Sequence, residues 1–94
     1  MKTLHKEQLV HGEYYTGSCR NATCARWHGP GQFFVHWRYK FGHRFLETIK
    51  HPDDELRYDV FLVDALCATP EEPIEDELFE RVAREEIGRT RERA

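Results

Sequence analysis

Phe33-Phe34-Val35-His36-Trp37-Arg38-Tyr39-Lys40-Phe41 is the stretch whose reading decides the fold. Successive side chains on a strand point to opposite faces. Phe33, Val35, Trp37, Tyr39 and Phe41 therefore form one apolar face, expected on a core. Phe34, His36, Arg38 and Lys40 form the other, expected towards water or a partner. Chain breakers bound the run on both sides. His28-Gly29-Pro30-Gly31 precedes it and cannot continue a ladder. Gly42 follows it, as a bulge or as a tight hairpin into Arg44–Lys50.

Working outward, Glu13–Cys19 and Thr23–Trp27 read as two earlier strands joined at Arg20-Asn21. Tyr58–Leu66 reads as a last strand. Its continuous apolar run, Val60-Phe61-Leu62-Val63, suggests a central, well-covered place. Thr69-Pro70-Glu71-Glu72 has capping-box spacing with proline at the first helical position. Ile74, Leu78, Val82 and Ala83 then recur at helical spacing. Pairs such as Glu80/Arg84 and Glu85/Arg89 stand at i,i+4. The expected architecture is α+β: a four- to five-stranded antiparallel meander curled by Gly17 and Gly42, with one C-terminal amphipathic helix. That helix packs on the sheet of its own chain or on a second copy. The expected layout is a single small domain over 1–94: a polar lead-in 1–12, the sheet 13–66, the helix 70–88 and a frayed tail 89–94.

Ninety-four residues suit one core. No apolar run approaches a membrane span, and the N-terminus lacks the apolar stretch of a signal peptide. Three cysteines, an odd number, argue against a closed disulfide framework. A cytoplasmic setting with no membrane partner is therefore expected. The net charge of −3 is unevenly distributed. Residues 19–51 carry six cations against Glu47 alone, while residues 52–94 carry fourteen acids against six arginines. Either the two halves attract each other within the fold or each faces a different partner.

Four constellations follow. Arg26, Phe34, His36, Arg38, Lys40 and Arg44 combine cations for phosphates with a ring for stacking, a pattern suited to nucleic acid. Glu71, Glu72, Glu75, Asp76 and Glu80 form an acidic surface for a basic partner. Cys19, Cys24, His28 and His36 are the residues from which a zinc site would be drawn, although no two of these cysteines are separated by just two residues. Cys19 or Cys24 with a histidine and Asp59 or Asp64 makes a nucleophilic triad on paper only, because no local signature accompanies it. No enzyme activity and no cofactor are expected. The expected function is recognition of nucleic acid or a nucleoprotein through the basic, aromatic sheet face. The alternatives are a protein-binding regulator or inhibitor (an accessory protein, of the phage or mobile-element kind among others) using the acidic helix or aromatic face, and a small zinc module. A monomer or a homodimer fits either.

Overall fold

The computed structural model describes residues 4–19, 22–53 and 60–93. Five strands, β1 (Tyr14–Cys19), β2 (Ala22–His28), β3 (Phe33–Lys40), β4 (His43–Ile49) and β5 (Leu62–Leu66), precede one helix, α1 (Asp76–Arg93). They form an antiparallel sheet in the order β4-β3-β2-β1-β5. The expected meander and C-terminal helix are therefore present. The Arg20-Asn21 turn and the start of the Tyr58–Leu66 strand lie outside the described residues.

The last strand departs from expectation. β5 is an edge strand paired only with β1 in the ladder, with Thr16 opposite Ala65 and Ser18 opposite Leu62. Its apolar run arises because Phe61 and Val63 are fully buried, whereas Leu62 and Leu66 are exposed. Just before β5, Val60 makes a parallel bridge with Lys50 at the end of β4. This bridge draws the two edges of the sheet together at one end.

Both faces of the sheet are covered. On one, Phe33 and Val35 pack with Ile74, Phe79 and Ala83, and with the half-buried Trp37, Leu46, Val82 and Ile87. Thus α1 packs on the sheet of its own chain. On the other, Tyr15, Ala25, Trp27, Phe34, Phe61 and Val63 form a second cluster, covered in part by Leu4 and Leu9 of the lead-in. His51 is fully buried beside it, stacked on Phe34 with its Nε2 2.9 Å from the Leu4 carbonyl. The even-numbered side of β3 is therefore not a free surface, since Phe34 and His36 are buried. The odd-numbered side is core only at its beginning: Tyr39 and Phe41 are exposed.

Two glycines shape the sheet. β1 is irregular at Thr16/Gly17, and a Cβ on Gly17 would stand 2.8 Å from the Phe61 ring and closer still to the Leu62 carbonyl oxygen. Glycine here permits close approach of β5. At the β3–β4 hairpin, Phe41 and Gly42 take φ values of 53° and 78°, the signature of a two-residue type I′ turn between Lys40 and His43. Positive φ at both positions pulls Phe41 out of the strand alternation and leaves it 89% exposed.

The helix begins at Asp76, later than the Thr69 cap predicts. Residues 70–75 instead run along the sheet, held where Ile74 N–H donates to Tyr14 Oη at 2.8 Å and the Tyr14 hydroxyl donates to the Ile74 carbonyl at 3.1 Å. α1 continues through the expected tail to Arg93. The expected i,i+4 pairs are replaced: Glu80 turns inward to His28, and Arg89 pairs with Glu86 at 2.8 Å.

Phe41 is a bulky residue in left-handed geometry, where asparagine is better suited. Phe41→Asn is expected to stabilise the fold by about 0.5–1 kcal/mol. That corresponds to a rise in Tm of about 2–8 °C for a domain this size. Calorimetry showing a lower Tm would contradict the turn assignment.

Candidate functional site

Strand pairing divides the six basic and aromatic residues between two faces. Arg26 lies opposite Val35 and Arg44 opposite Tyr39, so both point to the helix side. Phe34, His36, Arg38 and Lys40 point to the other side. Arg26 is a structural residue whose side chain is only 12% exposed. Its Nε donates to the Gly12 carbonyl at 2.9 Å, Nη1 to the Ile74 carbonyl at 2.9 Å and Nη2 to Asp76 at 2.6 Å. Its guanidinium also lies 4.2 Å from the Phe79 ring centroid. Arg38 pairs with Glu47 at 2.8 Å, and Arg44 with Glu72 at 3.1 Å while lying over Trp37. Lys40 remains exposed, near the Phe41 ring. The six residues do not build one row of phosphate contacts.

The acidic set is divided too. Asp76 holds Arg26, Glu72 holds Arg44 and accepts from the Tyr39 hydroxyl, and half-buried Glu80 faces His28. The bond to Glu72 raises the Tyr39 pKa, so that the phenol stays protonated. Glu71 and Glu75 stay exposed.

The zinc set does not converge. The Cys19 side chain lies outside the described residues, His36 points to the face opposite Cys24 and His28, and β2 separates those two by four residues. The structure instead gathers His11, His28 and Glu80, whose nitrogen and oxygen atoms lie within 4.8 Å of one another. No sequence spacing joins these three; pairing across the lead-in, β2 and α1 does. Their hydrogen bonds suit a carboxylate clamp better than a metal. Gly29 N–H donates to His11 Nδ1 at 3.0 Å and Gly31 N–H to His28 Nδ1 at 2.9 Å. Each neutral ring then carries its proton on Nε2, facing Glu80 Oε1 at 3.8 Å and 3.0 Å respectively. A metal would need lone pairs at those Nε2 atoms and donors at Nδ1, the reverse polarity.

A pocket of about 500 Å³ opens on the helix side of the sheet, between β1–β3 and the 67–74 segment. Trp37, Tyr39, Cys24, Cys67, Asp64 and Glu71 are among its walls. Sequence reading missed this site because Asp64 and Cys67 join it only through the pairing of β5 with β1. Burial pushes the Cys24 thiol up to about 12, assisted by Cys67 beside it and by Glu71. A thiol so placed is protonated at neutral pH, which opposes a nucleophilic role for Cys24.

Burial lowers the His28 pKa from 6.5, more than the Glu80 carboxylate raises it, with His11 adding to the lowering. The neutral ring is therefore favoured in the fold, while the unfolded chain takes up a proton near the ordinary value. His28 thus contributes full stability above about pH 6.5, and that contribution is lost as pH falls towards the depressed native value. Denaturant titrations should show stability falling below pH 6.5, by up to about 1.4 kcal/mol per pH unit for one proton. His28→Gln should make that slope shallower. An unchanged slope in the variant would contradict the assignment.

Comparison of the chain with protein-family models, curated proteins and solved structures finds no match, so a functional reading stands on this geometry.

Proposed function

We propose that the chain is a non-enzymatic recognition module that binds a basic protein partner through its acidic, aromatic-walled side, as a regulator or inhibitor would. One observation carries this reading. Arg26, Arg38 and Arg44 are engaged by acids of the same chain, whereas Asp64, Glu71, Glu75 and Glu77 are exposed with no ion-pair partner among the described residues. Asp64 and Glu71 stand at the pocket, and Glu75 and Glu77 continue the acidic stretch into α1. Uncompensated charge around a concave aromatic site favours encounter with an oppositely charged surface.

A second reading, binding to nucleic acid or a nucleoprotein, is favoured by the β3–β4 hairpin. Phe41 stands exposed at its tip, with Lys40 and His43 exposed on either side. A ring flanked by basic groups suits stacking of an unpaired base with phosphate contacts. On this reading the expected row of cations is reduced to the hairpin alone.

Two sets of substitutions separate the readings, using affinity capture with and without nuclease. Glu71→Lys with Glu75→Lys and Glu77→Lys should abolish capture of a basic protein, and nuclease should not affect it. Lys40→Glu with Phe41→Ser should leave that capture intact. Capture lost on nuclease treatment and in the hairpin variant, but kept after acid reversal, would overturn the first reading in favour of the second.

A further inference from the structure

The pocket beside the 67–74 segment has a chemistry more specific than an acidic surface. Its volume of about 500 Å³ lies within the range of sites that hold a discrete ligand, about 300–1,000 Å³. Among the described residues, three carboxylates line it, from Asp64, Glu71 and Glu72, and no lysine, arginine or histidine does. Glu72 is already occupied by Arg44 and Tyr39, while Glu71 and Asp64 have no partner among the described residues. Cys24 is held as a neutral thiol, so it brings no charge to compete with them. Tyr14, Trp37 and Tyr39 supply aromatic surface, and Ile74 an apolar wall.

The chain itself displays the contact such a site makes. Arg44 lies 4.2 Å from the Trp37 ring centroid and places Nη1 3.1 Å from Glu72. A guanidinium is thus stacked on a pocket tryptophan and paired with a pocket carboxylate. Planar delocalised charge suits both contacts, whereas a compact ammonium stacks poorly and is more strongly hydrated. We propose that the pocket receives an arginine side chain of the basic partner, its guanidinium paired with Glu71 and Asp64 and its stem against the aromatic and apolar walls. This rests on the acidic-surface reading and narrows it to one site and one side-chain type.

The test is an NMR titration of the full chain, at low salt, with a short capped glycine peptide containing two arginines. Matched peptides carry lysine or citrulline, the uncharged analogue of arginine, in their place. The arginine peptide should shift the amide signals of Cys24, Trp37 and Cys67. Citrulline should weaken binding on the order of tenfold or more, and lysine should weaken it measurably. Asp64→Asn with Glu71→Gln should weaken arginine-peptide binding to a similar degree, with a melting curve like the parent's because both side chains are exposed. Equal binding of the lysine or citrulline peptide would overturn the proposal. So would shifts confined to the exposed helix around Glu77 and Glu85, an outcome that leaves the acidic-surface reading standing. Absence of binding by both the arginine and the lysine peptide would overturn the inference and the reading together.

Discussion

The rest of the structure depends on the placement of Arg26. One guanidinium, with only 12% of its side chain exposed, satisfies the Gly12 carbonyl, the Ile74 carbonyl and Asp76, and lies on the Phe79 ring. It therefore joins the lead-in, β2, the segment crossing the sheet and the first turn of α1. A charge buried this far is tolerated only when its donors are matched, and here Nε, Nη1 and Nη2 each have a partner. Tyr14 reinforces the join by bonding both backbone groups of Ile74. Together these contacts bring Phe79 and Ala83 onto Phe33 and Val35.

The same join determines what is left for recognition. Holding the 67–74 segment against the sheet creates the pocket and places Glu71 and Glu72 on its rim beside Asp64 of β5. It also withdraws Arg26 from the surface and engages the exposed Asp76 in an ion pair. The His11–His28–Glu80 clamp acts similarly at the next turn of α1, drawing Glu80 inward. The division of charge along the chain thus serves the fold first: Arg26 and Arg44 are matched by Asp76 and Glu72 of the C-terminal half, and Arg38 by Glu47 on the neighbouring strand. What remains uncompensated around the pocket is negative, and the exposed basic groups of the hairpin are confined to its tip.

Much of the architecture was legible in the sequence. The alternation of Phe33–Lys40, the breaker at Gly29–Gly31 and the turn at Gly42 predict β3 and its neighbours, and the spacing of Ile74, Leu78, Val82 and Ala83 predicts the helix. Alternation, however, says only that two faces differ. Phe34 and His36 are buried because Leu4, Leu9 and His51 cover part of that second face, and a lead-in with so few apolar residues gives little sign of it. Register was equally invisible: pairing Arg26 with Val35 and Arg44 with Tyr39 is what separates them from Arg38 and Lys40. The capping-box spacing at Thr69 lost to tertiary contacts at Ile74. The pocket required the β1–β5 pairing, which joins residues far apart in the chain.

The most direct test of this account is the stability of Arg26→Lys, measured by chemical denaturation together with hydrogen exchange along α1. An ammonium keeps the charge but cannot reach the Gly12 carbonyl, the Ile74 carbonyl and Asp76 in the fork geometry that arginine provides. The account predicts a loss of about 2–4 kcal/mol, with exchange accelerated first at residues 76–83. A lysine variant with the parent's stability and unchanged helix protection would contradict it.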